Sequence, residues 1–199
     1  MQRASGVWIS SDARSVDSNP GPAKSATDQE LIAAINSGNE GAFETLYWRY
    51  RDWVVSLAFR FTGDPEIALD VMQETFLYVV KKFPGFRLTA QMKTFLYPAV
   101  RNLSIAARRQ RDRYQSENPF HGEEEIEEKP RFETGTLSEV LESLPPEQRE
   151  VLLLRFVDGL SMAELAIALE IPVGTVKSRL HNALAKLRSD PRTRGFFEG

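Results

Sequence analysis

Downstream of Thr27 the apolar residues recur at three- and four-residue steps, the period of amphipathic helices. Thr27 and Glu30 have the spacing of a capping box ahead of Leu31, Ile32 and Ile35, which predicts a short helix closed by Gly38. A second helix follows on Phe43, Leu46, Tyr47, Tyr50, Val54, Leu57, Ala58 and Phe61, with Gly63 as its stop. Asp64 then reads as an N-cap with Pro65 at the first helical position, opening a third helix to about Lys82. At 100° per residue its Ala68, Met72, Phe76, Val79 and Phe83 share one arc. Asp70, Gln73, Glu74, Leu77 and Lys81 share the opposite one. After the Pro84-Gly85 break a fourth helix is predicted from about Gln91 to Arg111. Pro98 inside it predicts a kink, because proline removes one backbone hydrogen bond and crowds the preceding turn at a cost of roughly 3 kcal/mol.

Periodicity is lost over residues 112 to 135, where the chain turns acidic and polar, and then returns in shorter segments. A helix is predicted from about Pro146 to Asp158, followed by the turn Asp158-Gly159 and a second capping box, Ser161 with Glu164, ahead of a helix over Met162 to Leu169. A break at Glu170-Ile171-Pro172 leads into a last helix to about Arg188, with Val176, Leu180, Ala183, Leu184 and Leu187 as its apolar stripe. Two short helices joined by a tight turn are a helix-turn-helix. The expected fold is therefore all-α, with two small helical domains, one of four helices and one built on the helix-turn-helix, joined by a flexible acidic linker. The expected division is a tail over 1–27, a first domain over 28–111, the linker over 112–135, a second domain over 136–190 and a tail over 191–199.

With 199 residues, 42% of them hydrophobic, the chain can supply a core for each domain. It has no cysteine, which excludes disulfide scaffolds, thiolate zinc sites and thiol nucleophiles. No apolar run is long enough to cross a membrane and no basic-then-apolar order marks a secretory signal, so a cytoplasmic protein without stable membrane insertion is expected. A net charge of −3 argues against a nucleic-acid binder until its distribution is considered. Residues 81 to 113 carry nine Lys/Arg against one Asp; residues 117 to 133 carry seven Glu against Lys129 and Arg131; residues 173 to 194 are basic again. Two cationic segments flank an acidic one.

On the last helix, the face opposite the apolar stripe presents Ser178, His181, Asn182 and Ala185 between Lys177, Arg179 and Lys186. Small, polar and cationic residues on the second helix of a helix-turn-helix suit the major groove: Lys and Arg reach phosphates or guanine, Asn can pair with adenine, and Ser or Ala permits close approach. The stretch LPPEQREVLLLRFVDGLSMAELAIALEIPVGTVKSRLHNALAKLR resembles the domain of extracytoplasmic-function (ECF) RNA polymerase sigma factors that reads the minus-thirty-five promoter element. FTGDPEIALDVMQETFLYVVKKFPGFRLTAQMKTFLYPAVRNLSIAARR resembles their core domain, region 2 of the sigma fold. The two likenesses cover residues 30 to 111 and 136 to 189 in the order the family has them.

The resemblance implies a sigma factor that directs promoter-specific initiation, with core RNA polymerase and promoter DNA as partners, an anti-sigma factor as a further candidate, no catalytic residue and no cofactor. It implies that Asp70, Gln73, Glu74 and Leu77 meet the polymerase, the same stripe that the helical period turns away from the core. It implies that Phe86, Lys93, Arg101, Asn102, Arg108 and Arg109 melt and read the minus-ten element, where unpaired bases need a cationic groove and apolar platforms. Phe83 and Phe95 read as core rather than as platforms. Thr175, Lys177, Ser178, Arg179, His181 and Asn182 are implied at the minus-thirty-five element. The chain departs from the family pattern at Leu88, where glycine is common, at Phe95, where tryptophan is usual, and at Pro98, Glu170 and Asn182.

The acidic run from Glu123 to Glu128 reads as solvated linker rather than a metal site, since only His121 lies near it in sequence. One expectation is that this run lies across basic surface in the free protein and restrains DNA binding. The alternative reading of the whole chain is a free-standing helix-turn-helix regulator, which would bind its operator without polymerase. A helical hydrolase has no support: no Ser/His/Asp arrangement, glycine-rich phosphate loop or paired metal spacing is present.

Overall fold

A computed structural model of the chain describes residues 26–117 and 136–193, and all regular structure within them is helical. The expected tail up to residue 25, the acidic stretch from 118 to 135 and the tail beyond 193 lie outside the described residues. Helices α1 (Asp28–Asn36), α2 (Glu40–Thr62), α3 (Pro65–Val80) and α4 (Met92–Glu117) pack as one bundle. Helices α5 (Thr136–Ser143), α6 (Pro146–Phe156), α7 (Met162–Leu169) and α8 (Val173–Ser189) follow, with α6, α7 and α8 packed on one another. The two groups meet where α7 lies against α4, and their buried apolar side chains form one continuous cluster.

The helix starts are built by the caps the sequence announces. Thr27 accepts from the Glu30 N–H at 3.3 Å while Glu30 accepts from the Thr27 N–H at 2.6 Å. Ser161 and Glu164 repeat the same exchange at 3.3 and 2.7 Å. One Asp64 oxygen accepts from the N–H groups of Glu66 and Ile67 at 2.9 and 3.0 Å, which satisfies two of the donors that every helix start leaves open. The other Asp64 oxygen pairs with Arg111 Nη1 at 3.2 Å and so ties the start of α3 to the far part of α4. Asp28 likewise holds α1 on α2 through Arg49, 2.6 Å away, and through the Tyr50 hydroxyl.

The core of the bundle follows the apolar arcs. Leu46 and Val54 of α2, Ala68 and Val79 of α3, and Leu96, Tyr97 and Val100 of α4 are completely buried. Removing an aliphatic side chain of this size from a packed core costs about 2–5 kcal/mol.

Three elements differ from the sequence-based expectation. Helix α4 holds Pro98 in its interior, as expected, but continues to Glu117, past the expected end at Arg111. Its middle is held by the burial of Leu96, Tyr97 and Val100 on either side of the proline, so packing outweighs the one missing backbone bond. Helix α5 appears where no helix was expected; Val140 is buried on it, and the chain after α8 reaches it through Arg192 and Glu139 at 3.5 Å. Helix α6 ends at Phe156, short of the expected Asp158, and the Asp158-Gly159 turn follows directly. Gly159 sits at φ 78°, a left-handed conformation that costs a glycine little.

Candidate polymerase and promoter interfaces

Helix α3 separates its two faces as its period predicts. Ala68, Met72, Phe76 and Val79 are buried, whereas Asp70, Gln73, Glu74, Leu77 and Lys81 are exposed. The exposed side is greasier than its charges suggested, because Leu69, Leu77, Tyr78 and Val80 are also open to solvent. Leu69, Gln73, Leu77 and Val80 fall at four-, four- and three-residue steps, so an apolar ridge runs beside the carboxylates of Asp70 and Glu74. Carboxylates around exposed aliphatic groups suit a basic, partly apolar protein partner.

The residues implied at the minus-ten element are not gathered at one place. Phe86 lies in the loop before α4, half-buried in a chain of rings: its ring centre is 5.5 Å from that of Phe83 and 4.7 Å from that of Phe95, and Tyr78 stacks on Phe95 at 6.0 Å. Phe83 and Phe95 pack against the core. Asn36, at the end of α1, fastens this loop. Its side-chain carbonyl accepts from the N–H groups of Gly85 and Phe86 at 2.6 and 3.2 Å, and its amide donates to the Phe86 carbonyl at 2.9 Å. A single asparagine at a helix end carries no sequence signal of such a role, because the partner loop is about fifty residues away.

Lys93 and Arg101, with Tyr97 between them, follow at four-residue steps and form a stripe on α4. Trp53 and Arg60, seven residues apart on α2, face the same way. All five side chains meet the second domain. Trp53 Nε1 donates to Asp158 Oδ1 at 2.7 Å and Arg60 Nη2 pairs with Asp158 Oδ2 at 2.6 Å. Lys93 Nζ donates to the Asp158 backbone carbonyl at 2.9 Å and lies over the Trp53 ring, 5.6 Å from its centre. The Tyr97 hydroxyl donates to Glu150, and Arg101 Nε reaches the same carboxylate at 3.2 Å. Burial, reinforced by the charge of Glu150 and by the hydrogen bond to it, pushes the Tyr97 phenol far above its ordinary value, so it remains a neutral donor. Asn102, Arg108 and Arg109 are exposed on other parts of α4.

On α8 the stripe Val176, Leu180, Ala183 and Leu187 is buried against α6 and α7, and the opposite face stands open. Lys177, Ser178, His181 and Asn182 are exposed, and the Ser178 hydroxyl donates back to the Thr175 carbonyl at 3.0 Å. Arg179 is half-buried and paired with Glu147 at the start of α6, 2.8 Å away, so the structure ties one of the expected phosphate-binding cations to a carboxylate. Thr175 is also half-buried. The tight turn into α8 passes through Glu170, a non-glycine residue at φ 54°, which caps α7 in the left-handed region.

A helical bundle with a charged and apolar outer ridge, joined to a helix-turn-helix whose second helix displays a polar, cationic face, has the features of a DNA-binding protein with a second surface suited to a protein partner. Comparison with known proteins places it more closely. Residues 46–114 match Sigma-70 region 2 and residues 135–187 match Sigma-70 region 4. The chain is 33% identical over 174 residues to the ECF RNA polymerase sigma-E factor of Escherichia coli K12, a span of 79% of this chain and 90% of that one. It is 27% identical over 180 residues to the ECF RNA polymerase sigma factor SigW of Bacillus subtilis, covering 82% and 96%. Among solved structures it resembles CnrH in complex with the cytosolic domain of CnrY, with a TM-score of 0.59 and 25% identity over 80% of this chain and 93% of that one. The fold is shared with RpoE of Bartonella quintana, solved with the anti-sigma factor NepR, at a TM-score of 0.56 and 22% identity over 73% and 94%. The chain belongs to the ECF sigma factors of the sigma-70 family and acts in transcription initiation. Proteins of this family are DNA-binding initiation factors, not catalysts. Among the described residues no helix is long and apolar enough to cross a membrane.

Proposed function

We propose that the two domains divide promoter recognition, with residues 28–111 as the region-2 unit, its surface extended by α4 to Glu117, and residues 136–190 as the region-4 unit. The ridge of α3, with Asp70, Gln73, Glu74 and Leu77, docks on core RNA polymerase, and Leu69 and Val80 widen its apolar part. The loop of Phe86, with Lys93, Arg101, Asn102, Arg108 and Arg109, takes the melted minus-ten strand. Helix α8 enters the major groove of the minus-thirty-five element with Lys177, Ser178, His181 and Asn182 foremost and Thr175 and Arg179 at its edge. The protein performs no chemistry of its own, needs no cofactor and works in the cytoplasm. The relatives CnrH and RpoE are solved with CnrY and the anti-sigma factor NepR, which supports an anti-sigma partner for this chain also.

The observation that carries this reading is the pair of open faces: an acidic, apolar ridge on α3 and a polar, cationic face on α8, each backed by a buried stripe on its own helix. Run-off transcription with purified core polymerase and genomic promoter fragments tests it. Discrete transcripts that require both the protein and core polymerase are expected. Specific operator binding by the protein alone, with no polymerase-dependent transcript, would instead make it a free-standing regulator.

A further inference from the structure

A row of aromatic rings runs from the loop before α4 to the surface of α3. Phe83 and Phe86 meet edge to face with their centres 5.5 Å apart, Phe86 leans on Phe95 at 4.7 Å, and Tyr78 stacks on Phe95 at 6.0 Å with 21° between the ring planes. Phe83, Phe86 and Phe95 are half-buried, whereas Tyr78 is 38% exposed. Tyr78 is therefore the end of the row that meets water, and its packed neighbour already orders it for a flat group that stacks there. It stands apart from the apolar ridge of α3. At 100° per residue it is turned roughly 160–180° from Leu69 and Val80, onto the flank that packs on α4. Glu74 lies one turn before it and Lys82 one turn after. The Lys82 ammonium stands over the Tyr78 ring, 4.5 Å from its centre. Lys82 is exposed, as are Lys81 beside it and Arg87 next to Phe86 in the loop. A cation on an exposed ring is held weakly and is readily exchanged for a phosphate. An open ring with a displaceable ammonium beside it is what an unpaired nucleotide needs, a face for its base and a charge for its phosphate. The same lysines would repel the basic partner that Asp70 and Glu74 suit.

We propose that Tyr78 is a stacking platform for one unpaired base of the minus-ten element, with Lys82 taking the adjoining phosphate. The proposal rests on the reading of the Phe86 loop as the minus-ten site, and it adds to that site two residues of the helix whose other flank meets the polymerase. Phe95 backs the platform and joins it to Phe86, so the loop and the end of α3 form one aromatic surface. Every base has a flat face to offer, so Tyr78 holds the open strand without choosing its sequence.

The test uses the full chain bound to core polymerase, on a promoter found by run-off transcription. Affinity for single-stranded oligonucleotides of the minus-ten element is measured for wild type, Tyr78→Leu, Tyr78→Phe and Lys82→Gln. Tyr78→Leu keeps apolar volume against Phe95 and removes the ring; affinity for the strand should fall about tenfold, to the same extent for strands of different sequence, while affinity for core polymerase holds. Tyr78→Phe keeps the ring and should bind as wild type does. Lys82→Gln should reduce the slope of log affinity against log salt by about 0.7, and an unchanged slope removes Lys82 from the site. A fluorescent aminopurine base placed at each position in turn should be quenched at one position in wild type and Tyr78→Phe and recover there in Tyr78→Leu. Wild-type affinity and unaltered quenching in Tyr78→Leu overturn the platform. So does a loss of affinity for core polymerase in that variant, which returns Tyr78 to the polymerase ridge. Should circular dichroism show that Tyr78→Leu loses helix, Tyr78→Trp decides: its larger ring should raise affinity for the strand severalfold, and an unchanged value overturns the proposal. If wild type binds the strand and initiates and Tyr78→Leu does so equally, only the platform falls; if wild type does neither, the Phe86 loop is not a minus-ten site and both readings fall.

Discussion

The basic stripe of α4 and the polar face of α8 are both rich in donors, yet the protein treats them in opposite ways. On α4, Lys93 and Arg101 already hold carboxylate or carbonyl oxygens of the other domain. On α8, Lys177, His181 and Asn182 stand in solvent, while Arg179 is paired with Glu147. The difference lies in where each helix sits. Helix α4 is crossed by α7, so one side of it lies beneath the second domain, whereas α8, among the described residues, packs its apolar stripe on α6 and α7 and leaves Lys177, Ser178, His181 and Asn182 exposed. A basic patch in the sequence is therefore not equivalent to a basic patch available to a partner. Open faces should respond to substitution in simple binding experiments, and covered ones only once the domains have parted.

The largest effect is expected on the most open face. Asp70→Lys with Glu74→Lys on α3 should weaken association with core polymerase by about 2–4 kcal/mol, on the order of thirtyfold or more, and leave helix content and thermal stability unchanged. Wild-type affinity in a pull-down would make the ridge an ordinary wet surface. Next comes the loop fastened from α1. Asn36→Ala removes three hydrogen bonds to the backbone of Gly85 and Phe86, which should release about 1–3 kcal/mol of local order. Open-complex formation, followed by permanganate reactivity of the melted strand, should then fall while polymerase association holds. Asn36→Asp keeps the acceptor and should recover part of the loss; equal defects in both variants would mean that the loop is not positioned this way.

On the open face of α8, Asn182→Ala should relax preference at one base pair of the minus-thirty-five element by about 1–3 kcal/mol, as read from a randomised promoter library. Uniform loss across the library would show that the helix is rotated in the groove. Arg179 sharpens the comparison because it is the one cation of the set with a carboxylate partner. Arg179→Ala should weaken all promoters alike and reduce the slope of log affinity against log salt by about one. Glu147→Gln, which frees it, should move affinity slightly the other way. The smallest expected effect lies at the turn before α8: Glu170→Gly relieves a left-handed non-glycine residue and should stabilise the protein by up to about 1 kcal/mol in denaturant melts. Destabilisation there would show that the Glu170 side chain adds stability beyond the backbone cap of α7.

Much of the helical framework was legible in the chain because it is written in local interactions. Both capping boxes, the Asp64-Pro65 start and the faces of α3 and α8 depend on residues three or four apart, which a linear reading can compare. The misses lie where packing or helix continuation, rather than a local pattern, decides. Helix α5 is only eight residues long and buries Val140, and α4 outruns its expected end because the loss of apolar period past Arg111 does not by itself break a helix. Proline at position 98 lies inside the helix where it was expected; its local cost is visible in the sequence, and the packing of Leu96, Tyr97 and Val100 around it is not.

By itself the sequence determined which faces could serve, since charge and apolar period at three- and four-residue steps follow from helix geometry alone. Which of those faces are free was decided only by the tertiary structure. Asp158 reads as an ordinary turn residue until the fold brings it to Trp53 and Arg60, 105 and 98 positions away, and Glu150 reads as one more exposed glutamate until it meets Tyr97 and Arg101. Contacts at such separations depend on how α7 crosses α4, and that crossing is set by the whole packed core rather than by any segment of the chain.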